Sequence, residues 1–468
     1  MTAKAWRLLL VPVALTSFLL SSCKGSAGVD PKVPAQEEDS YGVTINTRID
    51  CSIDEFCDFA ASGFDDYLES YVSKDLNAFV NVLAQQVFTD NRSKVDKVVS
   101  GEIGCTVANV GTKWSVRIYN FTYPSTSYTG TPVNLSATLC VPVCDYKVSH
   151  ELSAMSLCLP TMPYIKTFCP SENGHILMTR VAYNHAVVIP DYQGRGASED
   201  VSPYSSFHTA DHALQAIDAA LAARRILEDE GFSFASDFCT YNVGVSEGGE
   251  VAYHVHKMIE NDLTQEQQQT INLYDTYSAN GIGQHSKYIT TQLSLYTYDE
   301  SMHAVNMGFY KDAFDCLSEE EKQGHNGKEF LSKDLLDENN KIILDSPIIQ
   351  VLQQAVSRND IDYNWNPRHY ITLVGSYDDN DVLYEDNAVY MYELIKNDPD
   401  GIANDYVNLV GFSTPLSAAI SDYVGPDYMI AHIMADVYCL AHAVLCEDPA
   451  RENYYETIIY NLIRDYLL

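Results

Sequence analysis

The sequence predicts an α/β fold in which a mostly parallel sheet is covered by helices on both faces. The run 185–190 is almost wholly apolar and bounded by polar residues, as is typical of a strand buried on both faces of such a sheet. Apolar residues at helical spacing follow over 208–230, and a second strand leads to residue 245. Strand, helix and strand in this order form the repeating unit of a parallel sheet.

A sharp turn is predicted where the second of these strands ends. Residues 241–249 read Tyr-Asn-Val-Gly-Val-Ser-Glu-Gly-Gly, a Gly-x-Ser-x-Gly pattern centred on Ser246. Glycines at its two ends suit a strand that enters a helix through a strained turn, because side chains there would collide. A serine at the tip of this turn is presented for attack, so Ser246 is the candidate nucleophile.

Further strands and one long insertion complete the predicted architecture. Strand-like patterns cover residues 114–123, 133–143, 154–159, 271–278, 370–375 and 407–411. The connection before residue 370 is too long for a simple crossover. We interpret about 282–367 as a helical cap inserted over the C-terminal edge of the sheet, with helical pieces at 318–323 and 347–356.

The N-terminus has the features of an export signal. Lys4 and Arg7 precede an apolar run over 8–20, and Leu-Ser-Ser-Cys then ends at Cys23. This resembles a bacterial lipoprotein signal, in which the peptide is removed before the cysteine and the cysteine carries the lipid. An ordinary secretory signal and a single anchor helix are the alternatives. The resemblance implies a signal peptide at 1–22, a lipid on Cys23 and a place on the membrane of the bacterial cell envelope.

Three further units follow the signal. Residues 23–40 are rich in Gly, Pro, Ala and acids and indicate a tether. Apolar residues at roughly helical spacing favour an N-terminal helical region over 41–112. The predicted α/β domain then covers 113–468, including the cap.

Charge and cysteine content restrict the partners. A net charge of -35 argues against nucleic acid, because phosphate binding depends on Lys and Arg. The chain has 12 cysteines, and with Cys23 lipidated an odd number remains, so at least one is unpaired. No Cys-x-x-Cys pair suggests zinc, and we expect no metal and no cofactor. Cysteines that could form disulfides, with the connectivity open, are Cys51/Cys57, Cys140/Cys144, Cys439/Cys446, Cys105, Cys158 and Cys169.

Three stretches together resemble the α/β-hydrolases, and among them the secretory lipase (lipase A-like) group. They are Pro-Val-Asn-Leu-Ser-Ala-Thr-Leu-Cys-Val-Pro at 132–142, Val-Ile-Pro-Asp-Tyr-Gln-Gly-Arg-Gly at 188–196 and Gly-Val-Ser-Glu-Gly at 244–248. The resemblance extends from about residue 113 to the C-terminus. It implies a carboxylic ester hydrolase that acts on a small-molecule ester or lipid, with a helical cap and without metal or organic cofactor.

A serine hydroxyl needs a base and an acid that orients the base, and hydrolases of this fold place serine, acid and histidine in that chain order. Asp379, on the loop after the strand 370–375, is the candidate acid, with Asp378 and Asp381 as alternatives. The candidate base is His432, which stands between the last predicted strand and the last predicted helix. His442 is its rival, although it lies inside an apolar helical pattern.

Two backbone donors are expected to stabilise the oxyanion. The fold offers the N–H of the residue after the nucleophile, Glu247, and one from the loop after the third strand of the domain, where Thr161 or Met162 follows a proline. His208 and His212 have a spacing that could share a metal. We interpret them instead as polar residues at the start of an exposed helix.

Two other functions stay open. A serine peptidase of prolyl-oligopeptidase type would use the same serine, although the repeats of a propeller domain are not evident in the sequence. A surface-tethered binding protein could keep the scaffold without turnover. The sequence leaves the oligomeric state undetermined.

Overall fold

The computed structural model describes most of the chain between the N-terminal region and the end of the last strand. The residues it describes are 42–52, 55–56, 58–60, 114–144, 151–161, 169–201, 203–296, 298, 300, 303–361, 365–379, 381–396, 404–412, 435–436, 439 and 443. The predicted signal, the lipid attachment residue Cys23 and the tether lie outside the described residues, and their predictions stay untested.

The described strands form one sheet in the order β1-β2-β3-β5-β4-β6-β7-β8-β9. Their bounds are β1 Thr44–Ser52, β2 Trp114–Thr126, β3 Pro132–Cys144, β4 Glu151–Leu159, β5 His185–Pro190, β6 Ser233–Val245, β7 Leu273–Ala279, β8 Tyr370–Ser376 and β9 Val407–Phe412. β1, β2 and β3 pair antiparallel, and β3 also pairs antiparallel with β5. Every pairing from β5 to β9 is parallel, which confirms the predicted mostly parallel sheet.

Helices cover both faces of this sheet. Bounds of the longer helices are α1 Thr209–Asp229, α2 Glu247–Asn261, α3 Gln265–Ile271, α4 His285–Leu295, α5 His303–Asp315, α6 Pro347–Val356 and α7 Tyr390–Lys396. Leu157 of β4 belongs to the apolar cluster that contains α1 and α2. The adjacent Ser156 points to the opposite face, where Arg180 donates a hydrogen bond to it from the 3-10 segment Ile176–Tyr183. The Arg180 guanidinium also donates to the carbonyl of Ala443, so a helical residue from the end of the chain packs there.

The long connection between β7 and β8 contains α4, α5 and α6. Their apolar side chains form a separate cluster around Phe314, Phe330 and Leu352. His285 of α4 contacts Glu250 of α2 at 2.9 Å, and Gln292 of α4 donates to the carbonyl of Asp381 on the loop after β8. These contacts hold the connection against the C-terminal edge of the parallel strands.

Three details differ from the sequence expectations. Thr44–Ser52, assigned to a helical N-terminal region, is a strand that pairs with β2, and its β-branched residues suit that edge position. Residues 318–323, expected to be helical, form turns. Cys51, Cys140 and Cys439 are buried thiols, so the disulfides suggested for them are absent from the described structure.

In the described part of the chain, no helix combines the length and apolar character that crossing a bilayer requires.

Candidate active site

Ser246 occupies the tip of the turn between β6 and α2. Its backbone has φ 55° and ψ -122°, a strained conformation for a residue with a Cβ atom. Hydrogen bonds hold the turn from both sides: the Ser246 N–H donates to the carbonyl of Ala279 at 2.8 Å, and the Glu250 N–H donates to the carbonyl of Ser246 at 3.0 Å. The side chain is half-buried, at the C-terminal edge of the sheet.

Two glycines allow this turn to form. A Cβ atom on Gly244, in β6, would collide with the carbonyl oxygen of Gly248 in the first turn of α2. A Cβ atom on Gly248 would collide with the carbonyl oxygen of Leu159, the last residue of β4. Strand β6, helix α2 and the end of β4 therefore approach each other at backbone distance, as the sequence pattern predicted.

Thr161 lies beside the turn. Its hydroxyl donates a 2.5 Å hydrogen bond to the carbonyl of Val245, the residue that precedes Ser246. This bond fixes the loop after β4 next to the strained serine, which is where the second oxyanion donor is expected. The alternative donor, Met162, lies outside the described residues.

Glu247 is directed away from the turn into a buried polar network. Its carboxylate accepts a hydrogen bond from the Tyr204 hydroxyl and lies 3.5 Å from Nδ1 of His212. Nε2 of His212 in turn contacts the Tyr128 hydroxyl at 2.7 Å. These partners keep the Glu247 side chain engaged while its backbone N–H begins α2, at the positive end of the helix dipole.

The two histidines at the start of α1 are not exposed, contrary to expectation. His208 is 2% exposed and His212 is fully buried. Arg358, from the connection between β7 and β8, donates to Nδ1 of His208 at 2.6 Å and covers the first turn of the helix. The connection between β7 and β8 covers His208, and Tyr128 and Tyr192 pack against His212. These partners are distant in sequence, so local periodicity could not indicate the burial.

Asp379 is a buried carboxylate on the loop after β8. It is 2% exposed, and its Oδ1 accepts hydrogen bonds from the N–H groups of Asp381 and Val382 at 2.9 and 3.0 Å. The alternative Asp381 is less buried and accepts a hydrogen bond from the Tyr288 hydroxyl at 3.1 Å. Asp378, the other alternative, is also only half-buried. Of the three, Asp379 has the most enclosed carboxylate.

His432 and its rival His442 both lie outside the described residues, but residues between them are placed. Ala435, Asp436, Cys439 and Ala443 are helical. Asn280, immediately after β7, donates to Oδ1 of Asp436 at 3.0 Å. Burial, with further contributions from Asp436 and Asp379, raises the pKa of Cys439 well above its usual value. The helix that follows His432 therefore passes beside the ends of β7 and β8.

Sequence reasoning missed a second buried pair near the turn. Glu250 is one helical turn after Ser246, and its Oε2 lies 2.9 Å from Nε2 of His285. Burial raises the pKa of Glu250 to about 7, although the charge of His285 opposes that shift. The spacing of four residues from Ser246 places position 250 on the inward face of α2, and this spacing could have pointed to Glu250. Its partner, His285, comes from the connection between β7 and β8, where the sequence gives no comparable signal.

Comparisons with known proteins agree with this architecture. No protein-family model matches the sequence, and no curated protein is significantly similar to it. The rice cell wall degrading esterase LipA of Xanthomonas oryzae has a similar structure, with TM-score 0.52 and 19% identity over 75% of this chain and 93% of that one. A point mutant of the same esterase gives 0.53 and 18%, over 77% and 95%.

A protein of Legionella pneumophila, described provisionally as a hydrolase, gives TM-score 0.51 and 16% identity over 75% of this chain and 90% of that one. At sequence identities this low, structural similarity establishes a shared fold and nothing finer. The similarity to these structures, together with the strand order and the turn at Ser246, shows that this chain has the α/β-hydrolase fold.

Proposed function

We propose that this protein is a serine hydrolase of the secretory lipase type that cleaves carboxylic esters through an acyl-enzyme. The single observation that carries the proposal is the conformation of Ser246, at φ 55° between a strand and a helix. Backbone strain of this kind is costly and persists where the surrounding structure enforces it, commonly at sites of function. Here two glycines and the carbonyl of Ala279 enforce it.

In the proposed reaction Ser246 Oγ attacks the ester carbonyl carbon while His432 takes the hydroxyl proton. The tetrahedral oxyanion is stabilised by the backbone N–H groups of Glu247 and Thr161. His432 returns the proton to the leaving alcohol as the C–O bond breaks, which leaves an acyl group on Ser246. Water then attacks the acyl carbonyl carbon while His432 takes its proton. His432 returns this proton to Ser246 Oγ as the bond between Oγ and the acyl carbon breaks, which releases the carboxylic acid. Asp379 orients the imidazole and stabilises its charged form.

The placed residues support these roles for Asp379 and His432. The Asp379 carboxylate is enclosed, and two backbone N–H groups hold one of its oxygens, so its orientation is fixed. The bond from Asn280 to Asp436 brings the helix after His432 next to Ala279, whose carbonyl binds the Ser246 N–H. A loop that enters this helix can carry a histidine to the serine.

A panel of p-nitrophenyl esters of increasing acyl length tests the proposal. Ser246→Ala and His432→Ala should each lower kcat/KM by about 10⁶-fold, and Asp379→Asn by about 10⁴-fold, because the three side chains act as a unit. His442→Ala and Asp381→Asn are the matched controls and should retain most activity. Aminoacyl-proline anilides hydrolysed in preference to every ester would indicate a peptidase. Negligible activity in both the wild type and Ser246→Ala, with ligand binding unchanged, would instead favour a binding protein.

We also propose that the mature protein is tethered to the bacterial cell envelope through a lipid on Cys23. The order of basic residues, short apolar run and cysteine supports this. Cells grown with a labelled fatty acid should incorporate label into the wild type and not into Cys23→Ala. Equal labelling of both proteins would contradict the anchor.

A further inference from the structure

A second group of ligand-type side chains lies at the other end of α2. His256 and Glu260 are one turn apart on the helix, and His369 immediately precedes β8. Nε2 of His256 is 3.2 Å and Nδ1 of His369 is 2.8 Å from Oε1 of Glu260. All three candidate ligand atoms lie within 4.8 Å of one another. These atoms could therefore surround a single ion.

His256 is fully buried, yet its Nε2 makes no hydrogen bond in the described structure. Nδ1 of the same ring contacts the Thr276 hydroxyl at 2.9 Å, which fixes the orientation of the ring. Nε2 is thus held toward the Glu260 carboxylate without hydrogen-bond geometry. A buried ring nitrogen left in this way is costly, and a cation placed between nitrogen and carboxylate would satisfy both.

Glu260 is held in place by the backbone at the entry to β8. Its Oε1 accepts hydrogen bonds from the N–H groups of Arg368 and His369 at 2.7 and 2.9 Å. Among the described residues, only the indole N–H of Trp365 makes a hydrogen-bond contact with Oε2 of Glu260, at 3.4 Å, so that oxygen can turn to a metal. The Arg368 guanidinium donates to the carbonyl of Glu260 rather than to the carboxylate. The carboxylate is therefore oriented as a ligand would be.

We propose that His256, Glu260 and His369 form a binding site for a zinc ion. Two imidazole nitrogens and one carboxylate oxygen are ligands that zinc prefers, and they leave a fourth position for water. The side chain of His369 is 41% exposed, which gives solvent access to that position. Glu260 lies about 20 Å along α2 from the serine turn, given the rise of 1.5 Å per residue, so the ion would join α2 to β8 and not take part in the chemistry at Ser246.

The test uses the mature protein, stripped with a chelator and dialysed against zinc sulfate. The wild type should retain about one zinc ion per chain by mass spectrometry, and its Tm should rise with the zinc concentration. His369→Ala removes the ligand at the surface and should abolish both effects. His325→Ala is the matched control, because His325 also precedes a glutamate by four residues and contacts it at 3.0 Å without a third ligand. It should behave as the wild type.

Cobalt gives a second readout that does not depend on a variant folding. Co²⁺ in the wild type should show d–d absorption without the charge-transfer band of a thiolate, because the site has nitrogen and oxygen ligands. A thiolate band would place the metal on cysteines and overturn the proposal. Retention of zinc by a folded His369→Ala, or no zinc in the wild type, would overturn it as well.

Discussion

The two ends of helix α2 each carry a buried glutamate, but the structure around that glutamate is fixed differently at each end. At the first end Glu247 follows a strained serine, in a turn fixed by backbone contacts between Gly244, Gly248 and the end of β4. At the other end Glu260 is held by backbone N–H groups and by two histidines. The serine turn at the first end depends on the absence of side-chain atoms at two glycines, whereas the cluster at the other end depends on the chemistry of its side chains. Substitutions at the two ends should therefore fail differently.

The largest loss of activity is expected from replacing the serine itself. Ser246→Ala should lower kcat/KM for esters by about 10⁶-fold, because the nucleophile is lost. Its Tm should change little, since backbone contacts rather than the hydroxyl define the turn. Steady-state kinetics and thermal unfolding measure the two effects on the same sample. Ser153→Ala, remote on β4, is the control and should leave kcat/KM unchanged. A large fall in Tm for Ser246→Ala would contradict the comparison.

Gly248→Ala should strongly destabilise the fold at the turn. The added Cβ atom meets the carbonyl of Leu159, so strand and helix must separate, at a cost of about 3 kcal/mol or more in the free energy of unfolding. Gly231→Ala is the matched control. It has φ 78° and meets nothing within 4 Å, so only the backbone penalty of about 1 kcal/mol applies. Urea denaturation should separate the two variants, and equal losses would refute the close-approach argument.

A half-buried carboxylate on β7, outside both ends of α2, gives a reference for the effect of ionisation on stability. Burial raises the pKa of Asp275 on β7 from 3.8 to about 7, against the lowering effects of the Thr276 N–H and of Arg180. The pKa of Asp275 is higher in the folded than in the unfolded protein, so the protonated carboxyl group is the form that suits the folded state. Its contribution to the free energy of unfolding is complete below about pH 4 and is lost as the pH rises through 7. Asp275→Asn should raise the free energy of unfolding at pH 8 by about 2 kcal/mol relative to the wild type.

Urea denaturation of both proteins at pH 4 and pH 8 checks this expectation. In Asp275→Asn the difference in the free energy of unfolding between pH 4 and pH 8 should shrink without disappearing. Burial also raises the pKa values of Glu250 and Asp218, so these groups contribute a pH dependence of the same sign. If the pH dependence of the free energy of unfolding were the same in Asp275→Asn as in the wild type, the Asp275 carboxylate would be solvated and burial would not control its pKa.

A smaller loss of stability is expected for Tyr204→Phe. The substitution removes a hydroxyl that donates to the buried Glu247 carboxylate, at a cost of about 1 to 2 kcal/mol in the free energy of unfolding. Glu247→Gln in the same background should recover part of the loss, because an amide tolerates the missing donor better than a charge. A double-mutant cycle by urea denaturation measures this coupling. Additive losses would show that the two side chains do not interact.

Local signals in the sequence predicted the sheet and the serine turn. Apolar runs marked β5 and β8, and the glycines around Ser246 carry the geometry in five consecutive residues. The environments of Glu247, His212 and Glu250 could not be predicted in this way, because their partners come from distant segments. His285 reaches Glu250, and Arg358 reaches His208, from the connection between β7 and β8. β1 joins the sheet through pairing with a strand far along the chain. Periodicity reports which face of an element is buried but does not identify the element that covers it.

The most direct test of the central claim is covalent labelling of the folded mature protein with a fluorophosphonate. The proposed function predicts an adduct of one probe per chain, located on Ser246 by peptide mass spectrometry and absent from Ser246→Ala. Intact mass without an adduct on the folded wild type, or an adduct on another residue, would contradict it.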